Sequence, residues 1–231
     1  MISFSSIIKP NTRDINCLQQ VWNNIDPQSC PLNYNFHLHT LCSDGQLTPL
    51  ALIQQAIQIG LKGLAITDHH SVNGYYLARE WLERLDRYKS SLDLPHLWTG
   101  IEITSNLQGV EVHILGYAFR PNRPSLEPYI QGYAPKGKDA EASKVIDSIH
   151  QAGGLAVLAH PARYRRPASE LIPLAASLGI DGVEAYYAYG NPKPWKPSPV
   201  QTKQVKQLAS QYHLYTTCGT DSHGLNICQR I

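Results

Sequence analysis

Short runs rich in β-branched and aromatic residues alternate with amphipathic stretches along most of this 231-residue chain. Seven of these runs predict strands, at residues 33–39, 63–69, 97–104, 110–119, 155–161, 182–188 and 214–223. Strands that alternate with helices are typical of parallel βαβ units, so the pattern predicts an α/β fold. Seven strands are too few for an eightfold barrel, and we therefore expect a seven-stranded (β/α)7 variant of the TIM-like barrel.

Helical patterns lie between most of these strands, at residues 48–59, 72–88, 139–152, 169–178 and 199–212. In the first of them Thr48 can cap the helix, Pro49 suits its first position and Gly60 can end it. Residues 1–31 lack the alternation, and we interpret them as an N-terminal extension with a short helix near Asn16 to Trp22. Residues 32–231 are predicted to form one barrel domain, with proline-containing loops at 120–138 and 190–199.

The charge and the cysteine content bear on the partners and the cellular compartment expected for this protein. Its formal net charge of +2 gives no indication of a nucleic-acid or anionic-membrane partner, although a local site can still be basic. Five scattered cysteines without a Cys-x-x-Cys motif favour a reducing compartment over a disulfide framework. With neither a signal-peptide pattern nor a long apolar run, we expect a cytoplasmic protein without a membrane span.

Histidines and carboxylates gather where the predicted strands end. Six of the ten histidines lie in or just after the C-terminal halves of strands: His37, His39, His69, His113, His160 and His223. Carboxylates accompany them, namely Asp44, Asp68, Glu102 and Asp221. The C-terminal strand ends of parallel barrels carry the active site, and imidazole with carboxylate suits Zn²⁺, Mn²⁺ or Fe²⁺. Because there are more such groups than one ion needs, we expect two or three divalent ions.

Each of these histidines and acids, taken alone, also has a simpler structural explanation. His37 and His39 point to the same face of a strand, where they can bind one ion or only be hydrogen-bonded. Asp44 belongs to an Asp-Gly pair that is common in turns, and Asp221 can cap a turn or helix. Glu102 lies between two isoleucines, where burying an unpaired charge is costly, so either a metal or an interior salt bridge is required.

A basic loop follows the strand that ends at His160. Its three guanidinium groups, those of Arg163, Arg165 and Arg166, are suited to bidentate phosphate recognition, although a solvated basic loop is the alternative. Aromatic residues near the sixth strand can stack a base or simply pack a loop on the barrel: Tyr186, Tyr187, Tyr189 and Trp195.

The ordered set of motifs resembles the PHP (polymerase and histidinol phosphatase) family, in its stand-alone phosphoesterase branch. The resemblance covers about residues 33–224. It is carried by HxH (His37, His39), SDG (Asp44), TDH (Asp68, His69), GxE (Glu102), HILGY (His113), AHP (His160) and GTDSH (Asp221, His223).

The resemblance implies a distorted seven-stranded barrel with a three-metal site in which Glu102 bridges two ions. One ion would be held by His37, His39, Glu102 and Asp221, a second by Glu102, His113 and His160, and the third by Asp44, His69 and His223. Glu102 and Asp221 would then serve catalysis directly, and Asp68 would orient the ring of a ligand beside it.

The implied activity is hydrolysis of a phosphate ester by metal-activated hydroxide. The expected substrate is a small phosphorylated compound, such as a nucleotide, a nucleoside bisphosphate or a short oligoribonucleotide, without a stable nucleic-acid complex. Two alternatives stay open at this point: a non-catalytic module stabilised by metal, and a different metal-dependent hydrolase.

Overall fold

The computed structural model describes residues 13–88 and 93–231. Within them it has the helices α1 (Ile15–Trp22), α2 (Pro49–Gln58), α3 (Asn73–Tyr88), α4 (Ala142–Gln151), α5 (Ala168–Ser177) and α6 (Pro199–Gln211). The strands are β1 (Tyr34–Asn35), β2 (Gly63–Ala65), β3 (His96–Trp98), β4 (Gly100–Leu107), β5 (Val110–Tyr117), β6 (Leu155–Leu158), β7 (Gly182–Tyr186) and β8 (Tyr215–Cys218). Two 3₁₀ helices, Pro124–Tyr129 and Gly137–Ala140, lie in the long loop after β5. The α/β class is thus confirmed.

The described strands number eight, where the sequence predicts seven, and they form two sheets. One sheet has the order β1-β2-β3 and is parallel, and the other has the order β4-β5-β6-β7-β8. The extra strand arises because the predicted strand 97–104 is divided at Thr99 into β3 and β4. Thr99 bonds outside both strands, since its carbonyl accepts from Ala118 N–H and its hydroxyl donates to the Phe119 carbonyl.

The hairpin of β4 and β5 departs from the expected parallel pattern. Gln108 and Gly109 join the two strands with φ angles of 50° and 83°, the left-handed geometry that a tight two-residue hairpin turn requires. β5 therefore runs antiparallel to β4 and to β6. His113 consequently lies in the N-terminal half of β5, and the prediction of a C-terminal position was wrong. Because β5 is reversed, His113 still lies opposite Thr104 of β4, two residues beyond Glu102.

Two isolated bridges join the two sheets. Leu38 forms a parallel bridge with Ser222, and His69 forms one with Glu102. Phe36 N–H also donates to the Cys218 carbonyl at 3.1 Å, beside the first bridge. These contacts bring the segments that follow β1, β2 and β8 next to the middle of β4, where the histidines and carboxylates lie.

The N-terminal helix packs into the same core as the sheets. Leu18 and Trp22 of α1 are buried, and the Trp22 ring lies 5.3 Å from that of Tyr117 and 6.1 Å from that of Phe36. The Tyr117 hydroxyl donates to the Phe36 carbonyl at 2.8 Å. The predicted short helix is thus present, and the N-terminal extension belongs to the core from α1 onward. Residues 1–12 of the predicted extension lie outside the described residues.

The first helix after the HxH strand begins as its sequence predicts. The Thr48 hydroxyl accepts a hydrogen bond from Ala51 N–H at 3.1 Å, and Pro49 occupies the first helical position. The helix buries Leu52, Ile53 and Ala56 against the first sheet. None of the helices in the part of the chain that the structure describes is long and apolar enough to cross a membrane.

Candidate metal centre

Glu102 lies at the centre of the cluster. Its side chain is buried in the middle of β4, and its two oxygens face five imidazole rings. Oε2 lies 2.9 Å from His37 Nε2, 3.0 Å from His39 Nε2 and 3.5 Å from His69 Nε2. Oε1 lies 2.7 Å from His113 Nδ1 and 3.4 Å from His160 Nε2. One carboxylate thus joins five rings from four separate segments of the chain.

The potential ligand atoms form three overlapping groups, and within each group they lie within 4.8 Å of one another. One group has His37, His39, Glu102 and Asp221, the set that the resemblance implies for the first ion. Another group has His39, Asp44, His69 and His223. It contains the three residues that the resemblance implies for the third ion, together with His39. The last has His69, Glu102 and His113, so that His69 takes the place expected for His160.

His160 remains close to the cluster although it is outside the third group. Its Nε2 is 3.4 Å from Glu102 Oε1, and its ring centroid is 5.5 Å from that of His113. The structure therefore brings all nine predicted ligand residues together. Their role as ligands remains a prediction.

The donor set fits divalent cations. His39 and His160 are each 1% exposed, and neither ring nitrogen of either residue makes a hydrogen bond within the described part of the chain. Leaving polar atoms buried without partners is costly, and His39 Nε2 lies within 3.2 Å of two carboxylates without the geometry of a hydrogen bond. Nitrogen and oxygen donors that point to a shared space in this way suit Zn²⁺, Mn²⁺ or Fe²⁺.

The electrostatics of the cluster favour ionised carboxylates. Burial raises the pKa of Glu102, but the surrounding histidines, His37 first among them, hold it well below its ordinary value. The same balance lowers the pKa of Asp221. Burial lowers the pKa of His37, but Glu102, Glu184 and Asp221 raise it well above its ordinary value. The carboxylates of the cluster are thus ionised, and their negative charge is available to divalent cations.

Two of the site residues have left-handed backbone conformations. The φ angle is 28° at His160, directly after β6, and 54° at Asp221, just after β8. Such angles are strained for residues other than glycine and are often found at functional sites. Local hydrogen bonds hold both turns, because His160 N–H donates to Glu184 Oε2 and Asp221 N–H donates to the His37 carbonyl, each at 2.9 Å.

Glu184 is a site residue to which the sequence analysis gives no role. It is buried on β7, and its Oε1 lies 3.0 Å from His37 Nδ1. A carboxylate on the second nitrogen of a ligating imidazole fixes the ring's tautomer and orientation. The sequence does contain a signal for it, since Glu184 is an acid inside an apolar strand, just as Glu102 is.

Asp221 is held by donors on the side that faces away from the histidines. Its Oδ1 lies 3.4 Å from His37 Nε2 and 3.2 Å from His39 Nε2. Its Oδ2 accepts from the Tyr187 hydroxyl at 2.7 Å, from Arg230 Nε at 2.8 Å and from an Arg163 guanidinium nitrogen at 3.3 Å. Arg230 lies outside every motif, so no sequence signal indicates it.

Asp68 is not placed as the sequence predicts. Its carboxylate oxygens accept from Thr40 N–H and from the Thr40 hydroxyl, both at 2.7 Å, and from the Ser43 hydroxyl at 2.8 Å. These side-chain hydrogen bonds of Asp68 all go to the loop that leads to Asp44, and the His69 ring is not among their partners. Asp68 holds the Asp44 loop because that loop turns back across the end of β2.

Only one of the three arginines proposed for phosphate recognition reaches the cluster. Arg163 contacts Asp221, and 44% of its side chain is exposed. Arg166 pairs with Glu170 at 2.7 Å, because Glu170 lies four residues later in the first turn of α5. Arg165 is exposed and has no carboxylate within 4.0 Å among the described residues.

The aromatic residues near β7 mainly serve packing. Tyr186, Tyr187 and Trp195 are buried, and the Tyr186 hydroxyl donates to the Ile25 carbonyl. Tyr189 is half-buried and accepts from Ala162 N–H, which ties the loop after β7 to the loop after β6. The structure thus favours the packing alternative over base stacking at these residues.

The chain is similar to known proteins over most of its length. A family model described as the PHP domain matches residues 35–216. The 5'-3' exoribonuclease Rnm of Escherichia coli (strain K12) is 27% identical, over 82% of this chain and 85% of that protein. The phosphoribosyl 1,2-cyclic phosphate 1,2-diphosphodiesterase of Eggerthella lenta is 23% identical, over 82% of this chain and 94% of that protein.

A solved structure shows the same likeness in three dimensions. It is that of a candidate metal-dependent phosphoesterase from Bifidobacterium adolescentis, with a TM-score of 0.68 and 25% identity. The superposition covers 86% of this chain and 90% of that one. Since the family match extends over most of the chain and the relatives are aligned along nearly their full lengths, the chain belongs to the PHP domain family, as a metal-dependent phosphoesterase.

Proposed function

We propose that this protein hydrolyses the phosphate ester bond of a nucleotide-type substrate, either a short oligoribonucleotide or a nucleoside bisphosphate. The observation that carries the proposal is the position of Glu102, whose two buried oxygens face five imidazoles from four chain segments. A carboxylate surrounded in this way suits bridging of two ions better than an interior salt bridge, because its histidine neighbours include rings without any hydrogen bond.

The proposed ligands are the nine residues of the cluster. His37, His39, Glu102 and Asp221 would hold one ion, as the sequence resemblance implies. Glu102 and His113 would hold a second together with His160 or His69, both of which lie within 3.5 Å of Glu102. Asp44, His69 and His223 would hold the third, with His39 close enough to share it.

When bound, paired divalent ions would lower the pKa of coordinated water and neutralise charge on the phosphoryl oxygens. The protein's own groups bind and orient the substrate around that chemistry. The half-exposed Arg163 guanidinium lies beside Asp221 at the edge of the cluster, where it can donate to phosphate oxygens. Tyr187 and Arg230 keep Asp221 Oδ1 directed towards His37 and His39.

The choice of substrate class draws on the relatives. One is named as an exoribonuclease, one as a cyclic phosphate diphosphodiesterase, and a relative from Chromobacterium violaceum, aligned over 52% of this chain, as a 3',5'-nucleoside bisphosphate phosphatase. All three names describe phosphate esters of ribose-containing compounds. We extend this shared chemistry to the present chain as a proposal.

We also propose that the two sheets form one distorted barrel around the cluster. The bridges of Leu38 with Ser222 and of His69 with Glu102 support this closure, because they join the sheets on both sides of the site. A barrel closed in this way would place all nine residues at one end, the position of active sites in related α/β barrels.

A substrate panel tests the proposal. The purified protein is loaded with Mn²⁺ or Zn²⁺ and assayed with phosphomonoesters, nucleoside 3',5'-bisphosphates and short oligoribonucleotides. We expect release of phosphate or mononucleotides from at least one ribonucleotide substrate. Absence of release from every substrate, in protein shown by elemental analysis to contain metal, would reject the proposal.

A further inference from the structure

A stretch without acidic residues lies between Glu184 and Asp221. From Ala185 to Thr220 the sequence has no aspartate or glutamate, but it has four lysines: Lys193, Lys196, Lys203 and Lys206. The whole chain has a formal net charge of only +2, so this stretch is far more basic than the rest. Such local charge can direct a polyanion even on a nearly neutral protein.

All four lysines are exposed, and none has a carboxylate within 4.0 Å in the part of the chain that the structure describes. The loop before α6 holds two of them and is anchored by Trp195, which is 6% exposed. Lys206 Nζ lies 5.3 Å from the centroid of the Tyr186 ring, a cation–π contact that positions the ammonium group without neutralising its charge. The positive charges are therefore held on an ordered surface and remain available to a ligand.

Two of these lysines line a groove along the outer face of α6, and the other two lie in the loop that leads into it. The groove has a volume of about 660 Å³ and is lined by Lys203, Lys206, Pro197 and Pro199, among others. Lys203 and Lys206 are three residues apart in the helix, so they share one face. From Pro199 to Ser210 the lining follows α6 for about 16 Å at the usual helical rise. An extended chain fits a groove of this shape better than a compact ligand does.

One acidic residue lies near the opposite wall. Pro27 lines the groove, and its neighbour Asp26 is exposed. The Asp26 carboxylate accepts hydrogen bonds from Gln28 N–H and the Ser29 hydroxyl, both at 2.9 Å, which direct it into its own turn. Lys203 and Lys206 are thus the charged residues that line the groove itself.

Hydrogen bonds connect the end of the groove at Pro197 and Pro199 to the metal centre. Ser198 lies between the lining residues Pro197 and Pro199, and its N–H donates to the Tyr187 carbonyl at 2.9 Å. The Tyr187 hydroxyl in turn donates to Asp221 Oδ2 at 2.7 Å. The loop at the start of the groove is therefore tied to the residue that holds Asp221.

We infer that the α6 groove, with Lys203 and Lys206 in its lining and Lys193 and Lys196 in the adjoining loop, binds the phosphodiester backbone of a single-stranded oligonucleotide whose end lies at the metal centre. This inference rests on the proposed function and narrows it, because it selects the oligonucleotide over the nucleoside bisphosphate as substrate. Lysine side chains contact phosphate without reading the base, so the groove is expected to bind single strands independently of sequence.

Binding without turnover tests the inference. Fluorescence anisotropy of a 3'-labelled twelve-nucleotide oligouridylate is measured in EDTA over a series of salt concentrations. Each phosphate contact on a single strand contributes roughly 0.7 to the slope of log affinity against log salt concentration. K203Q/K206Q and K193Q/K196Q, which each remove two lysines, should therefore each lower the magnitude of that slope by about 1.4. Each pair should also lower the affinity on the order of tenfold at low salt. K203R/K206R, which keeps the charge, and K62Q/K144Q, which lies outside the groove, should behave as the wild type.

Several outcomes would overturn the inference. One is that the slope of log affinity against log salt concentration is unchanged in both K203Q/K206Q and K193Q/K196Q. Another is equal loss of affinity in K62Q/K144Q, which would indicate general charge attraction. Competition by polyglutamate as effective as that by unlabelled oligouridylate would instead indicate an acidic peptide as the partner. Because the assay needs no hydrolysis, groove-dependent binding by a protein inactive on every phosphate ester would reject only the proposed function.

Discussion

Glu184 Oε1 lies 3.0 Å from His37 Nδ1, on the side of the ring opposite the metal cluster. The other ring nitrogen, Nε2, faces Glu102 Oε2 at 2.9 Å. The other oxygen of Glu184 accepts from His160 N–H. One carboxylate thus positions two ligand residues from different strands, and it does so without itself belonging to any of the three ligand groups.

Replacing Glu184 with glutamine should weaken metal binding while the fold persists. The amide cannot accept from both His37 and His160 as the carboxylate does, and loss of such supporting groups commonly costs about 10- to 100-fold in metal affinity. Chelator competition measures the effect. Glu111→Gln, which changes an exposed acid on β5, is the matched control. Equal affinities in the two variants would show that Glu184 does not position His37.

Asp68→Asn should weaken mainly the binding of the ion proposed to be held by Asp44, His69 and His223. An asparagine cannot accept all three hydrogen bonds that Thr40 and Ser43 now donate, so the loop carrying Asp44 would loosen. We expect about tenfold weaker binding of one ion in a stepwise Mn²⁺ titration, roughly the value of one hydrogen bond to a charged group. If the affinities for all the ions fall equally, Asp68 supports the whole cluster and not this loop alone. Asp147→Asn, on the exposed face of α4, controls for charge.

Arg163→Ala should raise the KM for a phosphate ester about tenfold, the effect of losing one charged hydrogen bond at a half-exposed position. Arg166→Ala should leave the KM within about twofold, since Arg166 pairs with Glu170 away from the cluster. Steady-state kinetics of the two variants on the same substrate provide the comparison. A similar rise in both would contradict the assignment of Arg163 alone.

The metal-free protein should lose stability in mild acid, in part because of His96. Burial lowers the pKa of His96 to about 4, whereas the ordinary value is 6.5. The folded state therefore favours the neutral ring, whose contribution is complete above pH 6.5 and is lost as the pH falls towards 4. Urea unfolding in EDTA, followed by tryptophan fluorescence, should show a smaller acid-induced loss in His96→Asn than in the wild type. Identical pH dependence in the two proteins would exclude the contribution of His96.

The sequence predicts the members of the cluster well because the signal is local. A histidine or acid at the end of an apolar strand is visible in a few residues, and His37, His39, Glu102 and Asp221 are all found that way. Parallel strands place their ends on one edge, so neighbours in space follow from the predicted topology. Glu184 carries the same signal, and only its partner, His37, required the structure.

Other features depend on contacts between distant segments. The reversal of β5 follows from the left-handed turn at Gln108 and Gly109, which the strand pattern does not show. The approach of Arg230 to Asp221 depends on how the C-terminal segment folds back. Asp68 is adjacent to His69 in sequence, yet it bonds to Thr40, because chain adjacency does not fix side-chain direction at the end of a strand.

The metal content of Glu102→Gln tests the account most directly. Glu102 faces five histidines, and its two oxygens are divided between two sets of them. Both proteins are loaded with Mn²⁺, passed through a desalting column and analysed by inductively coupled plasma mass spectrometry. We predict that the wild type retains two or three ions per chain and that the variant retains about two fewer, as expected for a carboxylate shared by paired ions. A variant that retains the wild-type number of ions would contradict the bridging role of Glu102 and, with it, the proposed multinuclear site.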